Sequence, residues 1–252
     1  MPSDASVLRG PLARDVAVRA LVLRSVVKIA MAVSKRDSMS EEDFSAIRDH
    51  YLRLVLPYVP AFGIEDGVFL IEEDPARLEA AWPAAICRIE HFQVMAWALG
   101  RLDALPPYDT IADITLLDLP ALKEPAQLPF AVLRPAGEID HAGKVGELWY
   151  WRIQVHKLVR DGAPLPPSDE TDKLGLRTYA DYARWLAETS SAMGILPAPI
   201  GGDFPAFGKP YRDLADEELG RIYNITYQRH YSFTWLRRLA LMNDWDHAKQ
   251  NL

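Results

Sequence analysis

Three charged residues, Glu90, Arg152 and Arg229, fall in the middle of apolar stripes on three different predicted helices. Successive helical residues project about 100° apart, so each of these charges has apolar neighbours three or four positions away. Arg19 is a weaker fourth case, in the first predicted helix. Charged groups in apolar surroundings could bind an anion or the carboxylate of a substrate, or they could pair with one another.

An ionised side chain that has no partner in such surroundings costs several kilocalories per mole. Arginine cannot avoid this cost by losing its proton. Each arginine therefore needs a carboxylate, a set of backbone carbonyl groups or a water-filled cleft, and Glu90 is the natural carboxylate. We predict that Glu90 contacts Arg229 or Arg152 directly. Two interpretations stay open: an internal ion network that fixes helix packing, and a polar pocket between helices that receives an anion.

His230 follows Arg229 and joins Glu90, Arg152 and Arg229 in this candidate polar network. A histidine at this position could act as a general base near neutral pH. A hydrogen-bonded histidine at the boundary of the core fits the same pattern. The sequence thus supplies candidate groups without a reaction, and the catalytic residues of any activity are unknown at this stage.

Other motifs that carry chemistry are missing from the sequence. Glu138, His141 and His156 do not have the spacing of a known metal-ligand run, so we expect no metal site. Gly201-Gly202 is not followed by the lysine of a phosphate-binding loop, and no Gly-x-Ser-x-Gly nucleophile motif occurs. We therefore expect no bound cofactor.

Composition is typical of a soluble globular protein: 252 residues, 49% of them hydrophobic and 25% charged. The formal net charge of −7 argues against a nucleic-acid binder that works by bulk charge. The same charge is compatible with a basic protein partner. A single cysteine, Cys87, excludes an intrachain disulfide and fits the reducing cytoplasm. The apolar run from Val16 to Val33 contains three basic residues, so we expect neither a signal peptide nor a membrane span.

The spacing of apolar residues predicts a series of helices separated by proline-rich segments. Ser40 and Asp74 are candidate N-cap residues, and Pro83 is expected to interrupt a helix. The predicted helices cover 12–34, Ser40 to about Leu56, about 84 to Gly100, about 137–160, 178–193, and Asp213 or Asp216 to about Leu241. The segments 103–136, 161–172 and 194–211 are predicted to be a connector and two loops, with Ile111 to Leu117 as a short strand or one helical turn.

These elements predict an all-α fold, an irregular multi-helix bundle whose long proline-rich loops leave room for one short strand pair. We expect a single domain over 1–252, with the connector 103–136 as the place where a subdivision would fall. The run Trp149-Tyr150-Trp151 cannot face one direction on a helix, so its members should pack on different neighbours or expose one ring.

Several short blocks occur in order along the chain: Arg19-Ala20-Leu21, Arg88-Ile89-Glu90 with Trp97-Ala98-Leu99-Gly100, Glu147-Leu148-Trp149 with Trp151-Arg152, Arg229-His230 with Trp235-Leu236, and Trp245-Asp246. Because these blocks occur in this order, the chain resembles an uncharacterised bacterial family, the domain-of-unknown-function family 4272. The resemblance covers roughly residues 14–246. The chain departs from the family's pattern at Gln228 and in the tail from His247 to Leu252. The resemblance implies a helical fold and no particular activity.

We expect the protein to be a cytoplasmic protein-binding or accessory module, for example the neutralising partner of a toxin. The acidic charge, the long loops and the lack of a catalytic motif favour this hypothesis, with a protein partner of unknown identity. The alternative is an enzyme or small-anion binder that uses Glu90, Arg152, Arg229 and His230 in a pocket open to solvent. A third hypothesis is a homo-oligomeric scaffold with the aromatic run at its interface.

Overall fold

A computed structural model describes residues 11–122 and 125–237 of the chain. These residues form ten α-helices, several short 3-10 segments and one two-stranded antiparallel sheet. The predicted mostly helical fold with one short strand pair is thereby confirmed. Within the described ranges, none of the helices combines the length and the apolar character needed to cross a membrane.

The helices range from five to 21 residues in length. They are α1 (Ala13–Val33), α2 (Glu41–Val55), α3 (Ile64–Ile71), α4 (Pro75–Ile86), α5 (Ile89–Ala98), α6 (Ala136–Gln154), α7 (His156–Arg160), α8 (Asp169–Lys173), α9 (Tyr179–Ala192) and α10 (Asp216–Leu236). The strands are β1 (Pro205–Ala206) and β2 (Lys209–Pro210).

Capping residues place several helix starts where the sequence predicts them. The Ser40 side chain accepts a hydrogen bond from the backbone N–H of Asp43, 3.0 Å away, at the start of α2. Asp74 caps α4 by accepting from the N–H of Ala76 over 2.9 Å. The predicted start of the last helix at Asp216 is confirmed, whereas its predicted end near Leu241 lies outside the described residues.

Pro83 does not interrupt its helix, contrary to the prediction. It lies on the exposed side of α4, where water can satisfy the carbonyl group that a proline leaves without a backbone donor. The break comes at Cys87 and Arg88 instead, and α5 follows. Two helices were not predicted: α3, and the five-residue α8, which begins inside the predicted loop 161–172.

The connector and the last predicted loop contain regular structure. Ile114–Asp118 is a 3-10 segment, so the helical alternative for this part of the connector is correct. The segment 194–211 contains β1 and β2, which pair Pro205 with Pro210 and Ala206 with Lys209. The predicted helix over 137–160 is divided at Val155 into α6 and α7.

The chain divides into two compact units. Among the described residues, the first comprises 11–106, 111–122, 125–140 and 231–237, and the second 107–110 and 141–230. The expectation of a single domain stays a prediction. In the first unit α1 packs against α2, α4 and α5, and most of its side chains are buried. The core of the second unit gathers around Trp149 and Phe204; its other buried members are Tyr108, Ala187, Leu196, Ala206, Tyr211, Leu214, Ile222 and Ile225.

Candidate functional site

Arg152 forms a bidentate ion pair with Asp203 inside the second unit. Its Nε and Nη2 atoms donate to the two carboxylate oxygens of Asp203, each over 2.8 Å, and the Arg152 side chain is fully buried. The guanidinium group also lies over the ring of Tyr211, 4.3 Å from the ring centroid. This planar two-point pairing is among the strongest available to arginine. The carboxylate that compensates Arg152 therefore comes from a segment 51 residues further along the chain.

Asp203 is held as an anion whose acceptor sites are occupied. It also accepts hydrogen bonds from the backbone N–H groups of Phe204 and Arg212, over 2.8 and 3.0 Å. Burial by itself would raise the pKa of this carboxyl, but the hydrogen bonds and charge of Arg152 and the two N–H groups outweigh burial and lower the pKa. A carboxylate has about four acceptor sites, so Asp203 has none left for a substrate.

Two tight turns deliver Asp203 to this position. Gly201 and Gly202, with φ of +57° and +76°, connect Ile200 to Asp203, whose backbone groups hydrogen-bond each other over 3.1 and 3.0 Å. Two successive residues with positive φ are typical of a type I′ hairpin turn. The Gly-Gly pair therefore serves as a turn. A second turn of the same kind follows between β1 and β2, at Phe207 and Gly208, with φ of +50° and +73°.

Arg229 is fully buried and donates to backbone carbonyl groups. Its Nη1 and Nη2 atoms donate to the carbonyl oxygens of Pro107 and Thr110, over 3.2 and 3.0 Å. The guanidinium group lies 5.1 Å from the ring centroid of Tyr108. Backbone carbonyls were one of the three predicted ways to accommodate this arginine. Arg229 thereby attaches the segment 107–110 to α10.

Glu90 lies in the first unit and is 1% exposed. Its Oε1 atom accepts a hydrogen bond from the backbone N–H of Ala112 over 2.7 Å. This contact fixes Ala112, within the connector, against α5. The predicted contact of Glu90 with Arg229 or Arg152 stays a prediction.

The weaker fourth case, Arg19, belongs to a buried ion network in the first unit. Its Nη2 atom pairs with Asp66, and its Nη1 atom donates to the carbonyl of Ala61 over 3.2 Å. Arg88 donates from Nε to the other oxygen of Asp66 over 3.1 Å. Burial would raise the pKa of Asp66, but the positive charges of Arg19 and Arg88 and their hydrogen bonds lower it. Asp66 therefore joins α1, α3 and the start of α5.

A buried histidine and a buried serine in the first unit resemble part of a nucleophilic site, but the hydrogen bond between them runs in the opposite direction. The Nδ1 atom of His91 is 2.7 Å from Ser232 Oγ, and its Nε2 atom is 3.4 Å from Nη1 of Arg88. Arginine only donates, so Nε2 must accept and Nδ1 must carry the proton. His91 then donates to Ser232, whereas a general base would take the proton from serine.

His230, the fourth member of the candidate network, stacks on Tyr150 with ring centroids 4.5 Å apart. It is 8% exposed. Burial raises the pKa of the Tyr150 phenol, and Tyr223 and Tyr227 raise it further. Tyr150 therefore stays protonated at neutral pH.

The three residues of the run Trp149-Tyr150-Trp151 contact different neighbours in the second unit, as helix geometry requires. Trp149 stacks on Tyr108 in the core, with ring centroids 5.3 Å apart, while Tyr150 stacks on His230. Trp151 packs edge-on against Tyr182 at 5.1 Å.

His156 begins α7, one helical turn after Arg152. Both of its ring nitrogens, and Nη1 of Arg152, are buried without a hydrogen-bond partner among the described residues. Burial lowers the pKa of His156, and the charges of Arg152 and Arg160 lower it further. The imidazole is therefore held neutral. Across residues 11–122 and 125–237, no three His, Cys, Asp or Glu side chains converge as a metal site would require.

The outer face of α3, in the first unit, is apolar and exposed. Ile64, Val68 and Ile71 are 70%, 56% and 63% exposed. They are spaced four and three residues apart, which places them on one side of the helix. The opposite side carries the buried Phe69 and Leu70. We refer to Ile64, Val68 and Ile71 as the α3 stripe.

Comparisons with known proteins give no relative. No protein-family model matches the chain, and no curated protein or solved structure is detectably similar to it. The resemblance to family 4272 stays a prediction.

Proposed function

We propose that this protein is a protein-binding, accessory module whose docking surface is the α3 stripe. The observation that carries the proposal is the exposure of Ile64, Val68 and Ile71 on one side of a helix whose other side is already packed. Single exposed aliphatic residues are common on soluble proteins, whereas a contiguous row of them is typical of an interaction site. A partner that covers the stripe would remove this apolar area from water.

The buried charges do not support the alternative, an enzyme or small-anion binder. That hypothesis requires Glu90, Arg152, Arg229 and His230 to be partly accessible to solvent, but their exposed fractions are 1%, 0%, 0% and 8%. Arg152 is paired with Asp203, and Arg229 donates to the carbonyl groups of Pro107 and Thr110. Charges in this state are suited to fixing the positions of chain segments.

We also propose a cytoplasmic location. The single cysteine supports it, because a chain that cannot form an internal disulfide gains nothing from an oxidising compartment.

Photo-crosslinking from the α3 stripe tests the binding function. Benzoylphenylalanine placed at Val68 is expected to capture a discrete protein partner in cells that express the protein natively, and mass spectrometry of the product would identify it. Leu174, which is 42% exposed and lies in the second unit, provides the matched control position.

The same set of products from both positions would contradict the proposal, since it would indicate random encounters. A product that joins position 68 to residues 1–10 or 238–252 of the same chain would also contradict it.

A further inference from the structure

Two more exposed aliphatic residues precede the α3 stripe along the chain. Leu56 and Val59, in the 3-10 segment Leu56–Ala61, are 49% and 52% exposed. Five aliphatic residues between positions 56 and 71 are thus about half exposed or more. β-Branched residues dominate this set, and they lose little side-chain entropy when a partner covers them. The surface is therefore suited to binding a complementary apolar face.

The same part of the chain is rich in acidic residues. Residues 62–82 contain six acidic residues and one arginine, a formal charge of −5, compared with −7 for the whole chain. Asp66 is buried in its ion network, and Glu65 pairs with Arg88 of the same network. The other four acidic residues are exposed or partly exposed: Glu72 and Asp74, each 3.6 Å from Arg77, and Glu73 and Glu79.

Three of these acidic residues, Glu72, Glu73 and Asp74, directly follow the C-terminal end of α3. Negative charge at this end of a helix opposes the helix dipole, so these residues do not stabilise α3 electrostatically. Asp74 has a local role as the cap of α4. Arg48 donates to the carbonyl of Glu72 over 2.6 Å, and Arg77 lies 3.6 Å from Glu72 and Asp74. A partner that brings positive charge would add to these contacts at the exposed Glu73 and Glu79.

Charge also argues against two other ways to cover the stripe. A second copy of the chain would bring one acidic segment towards another, which is unfavourable. A membrane surface containing anionic lipids would repel the segment for the same reason. A cationic partner protein has neither problem.

Resting on the proposed binding function, we infer that the α3 stripe binds an amphipathic helical segment of a partner protein that is rich in lysine and arginine. The aliphatic side of that segment packs on Ile64, Val68 and Ile71, and its basic residues face the acidic residues after α3. Helix-on-helix docking of this kind uses anchors three and four residues apart, which is the spacing of the stripe.

Synthetic peptides provide the probe. Each labelled peptide has about 18 residues, long enough to form a helix. The first carries leucine at helical spacing with lysine and arginine on its flanks, the second has glutamate in place of every basic residue, and the third is a scramble of the first without an apolar side. Fluorescence anisotropy with the full chain gives the dissociation constants at about 50 mM and about 300 mM salt, where screening differs.

The basic amphipathic peptide is expected to bind at least about tenfold more tightly than the acidic peptide or the scramble at low salt. Ile64→Ser combined with Val68→Ser should weaken this binding by at least about tenfold, because two anchors are lost. Glu73→Lys combined with Glu79→Lys should weaken it about three- to tenfold at low salt and less at high salt.

Matched variants elsewhere control for composition and charge. Leu174→Ser removes an exposed aliphatic residue from the second unit, and Asp49→Lys with Glu188→Lys makes the same change in net charge at other exposed positions. These variants should bind the peptide within about twofold of the wild type, apart from a small general charge effect. All variants should keep the wild-type thermal midpoint, since the altered residues are exposed.

Equal binding of the acidic and basic amphipathic peptides, lost with Ile64→Ser and Val68→Ser, would overturn the charge inference and leave the protein-binding function standing. Equal weakening by the stripe variants and the controls would overturn the assignment of the peptide to this surface. Stripe-dependent self-association in sedimentation, or stripe-dependent binding to phosphatidylserine vesicles, would replace the inferred partner with a second copy or a membrane.

Discussion

Asp203 supplies the charge that compensates a fully buried arginine, so a change at this residue tests the electrostatics of the second unit directly. Asp203→Asn keeps the size of the side chain but leaves Arg152 without a counterion. Breaking a buried pair on one side costs about 3–5 kcal/mol, and we expect a loss of this size in the free energy of unfolding measured with urea.

The double variant Arg152→Met with Asp203→Leu should lose less free energy of unfolding than the sum of the losses of the two single variants. A loss below about 1 kcal/mol for Asp203→Asn, the level of an exposed pair, would contradict this account.

The direction of the His91–Ser232 hydrogen bond fixes the tautomer of His91. Because Arg88 can only donate to Nε2, the neutral ring should carry its proton on Nδ1 and donate to Ser232. The ¹⁵N chemical shifts of the ring, measured by long-range proton–nitrogen correlation, distinguish the two tautomers. A proton on Nε2 would reverse the assigned direction of the hydrogen bond and would reopen a base-like role towards Ser232.

The turn that carries Asp203 depends on glycine. Gly202 has a left-handed backbone, with φ of +76°. A Cβ atom added to this residue would lie 3.1 Å from Cγ of Arg184. We expect Gly202→Ala to lower the free energy of unfolding by about 1–2 kcal/mol. Gly220→Ala is the matched change inside α10, where nothing lies within 4 Å of the added Cβ atom. It should raise stability by about 0.5–1 kcal/mol, because alanine favours helix. Equal effects of the same sign would contradict the role assigned to the turn.

The elements also show how far the sequence predicts this fold. Long helices with clear caps, such as α2 with Ser40, were predicted because cap chemistry and apolar period agree there. The helix α3 was not predicted, since it has apolar residues on both sides and hence no polar face to reveal its period. Its exposed side is the proposed docking surface. Local pattern rules are expected to fail where a helix has a second, functional apolar face.

Some residues of the candidate site were likewise predicted from the sequence, and others were not. The sequence identified Arg152 and Arg229 as buried charges that need partners, and each has partners of a predicted kind. It did not point to Asp203, because a carboxylate in a glycine-rich segment gives no sign of burial and its partner lies 51 residues away. The pairing of Arg152 with Asp203 depends on the tertiary structure, and helical periodicity does not indicate which distant segments come together. The adjacent glycines before Asp203, whose φ values are positive in the structure, are the local sequence feature that allows the tight turn.

The partly buried His156 and the buried carboxylates Asp66 and Asp203 predict losses of the protein's stability in separate ranges of pH. His156 has a lowered pKa because of burial and the charges of Arg152 and Arg160. The unfolded chain therefore binds a proton that the folded protein does not, and stability falls as pH drops below about 6.5, the ordinary value. Asp66 and Asp203, one in each unit, have lowered pKa values as well, so their stabilisation is complete above about 3.8 and is lost as pH falls further.

Urea unfolding at a series of pH values between 8 and 2 separates these contributions. His156→Gln should flatten the decline that begins near pH 6.5, whereas His141→Gln, at an exposed position of α6, should leave it unchanged. Asp203→Asn should reduce the steeper decline below about pH 3.8, because one of the carboxylates that must be protonated is gone. If the decline near pH 6.5 persists undiminished in His156→Gln, the neutral state of this histidine is not what couples stability to pH. If instead it disappears, the second unit loses stability in weak acid through His156, while the ion pairs of Asp66 and Asp203 fail only in strong acid.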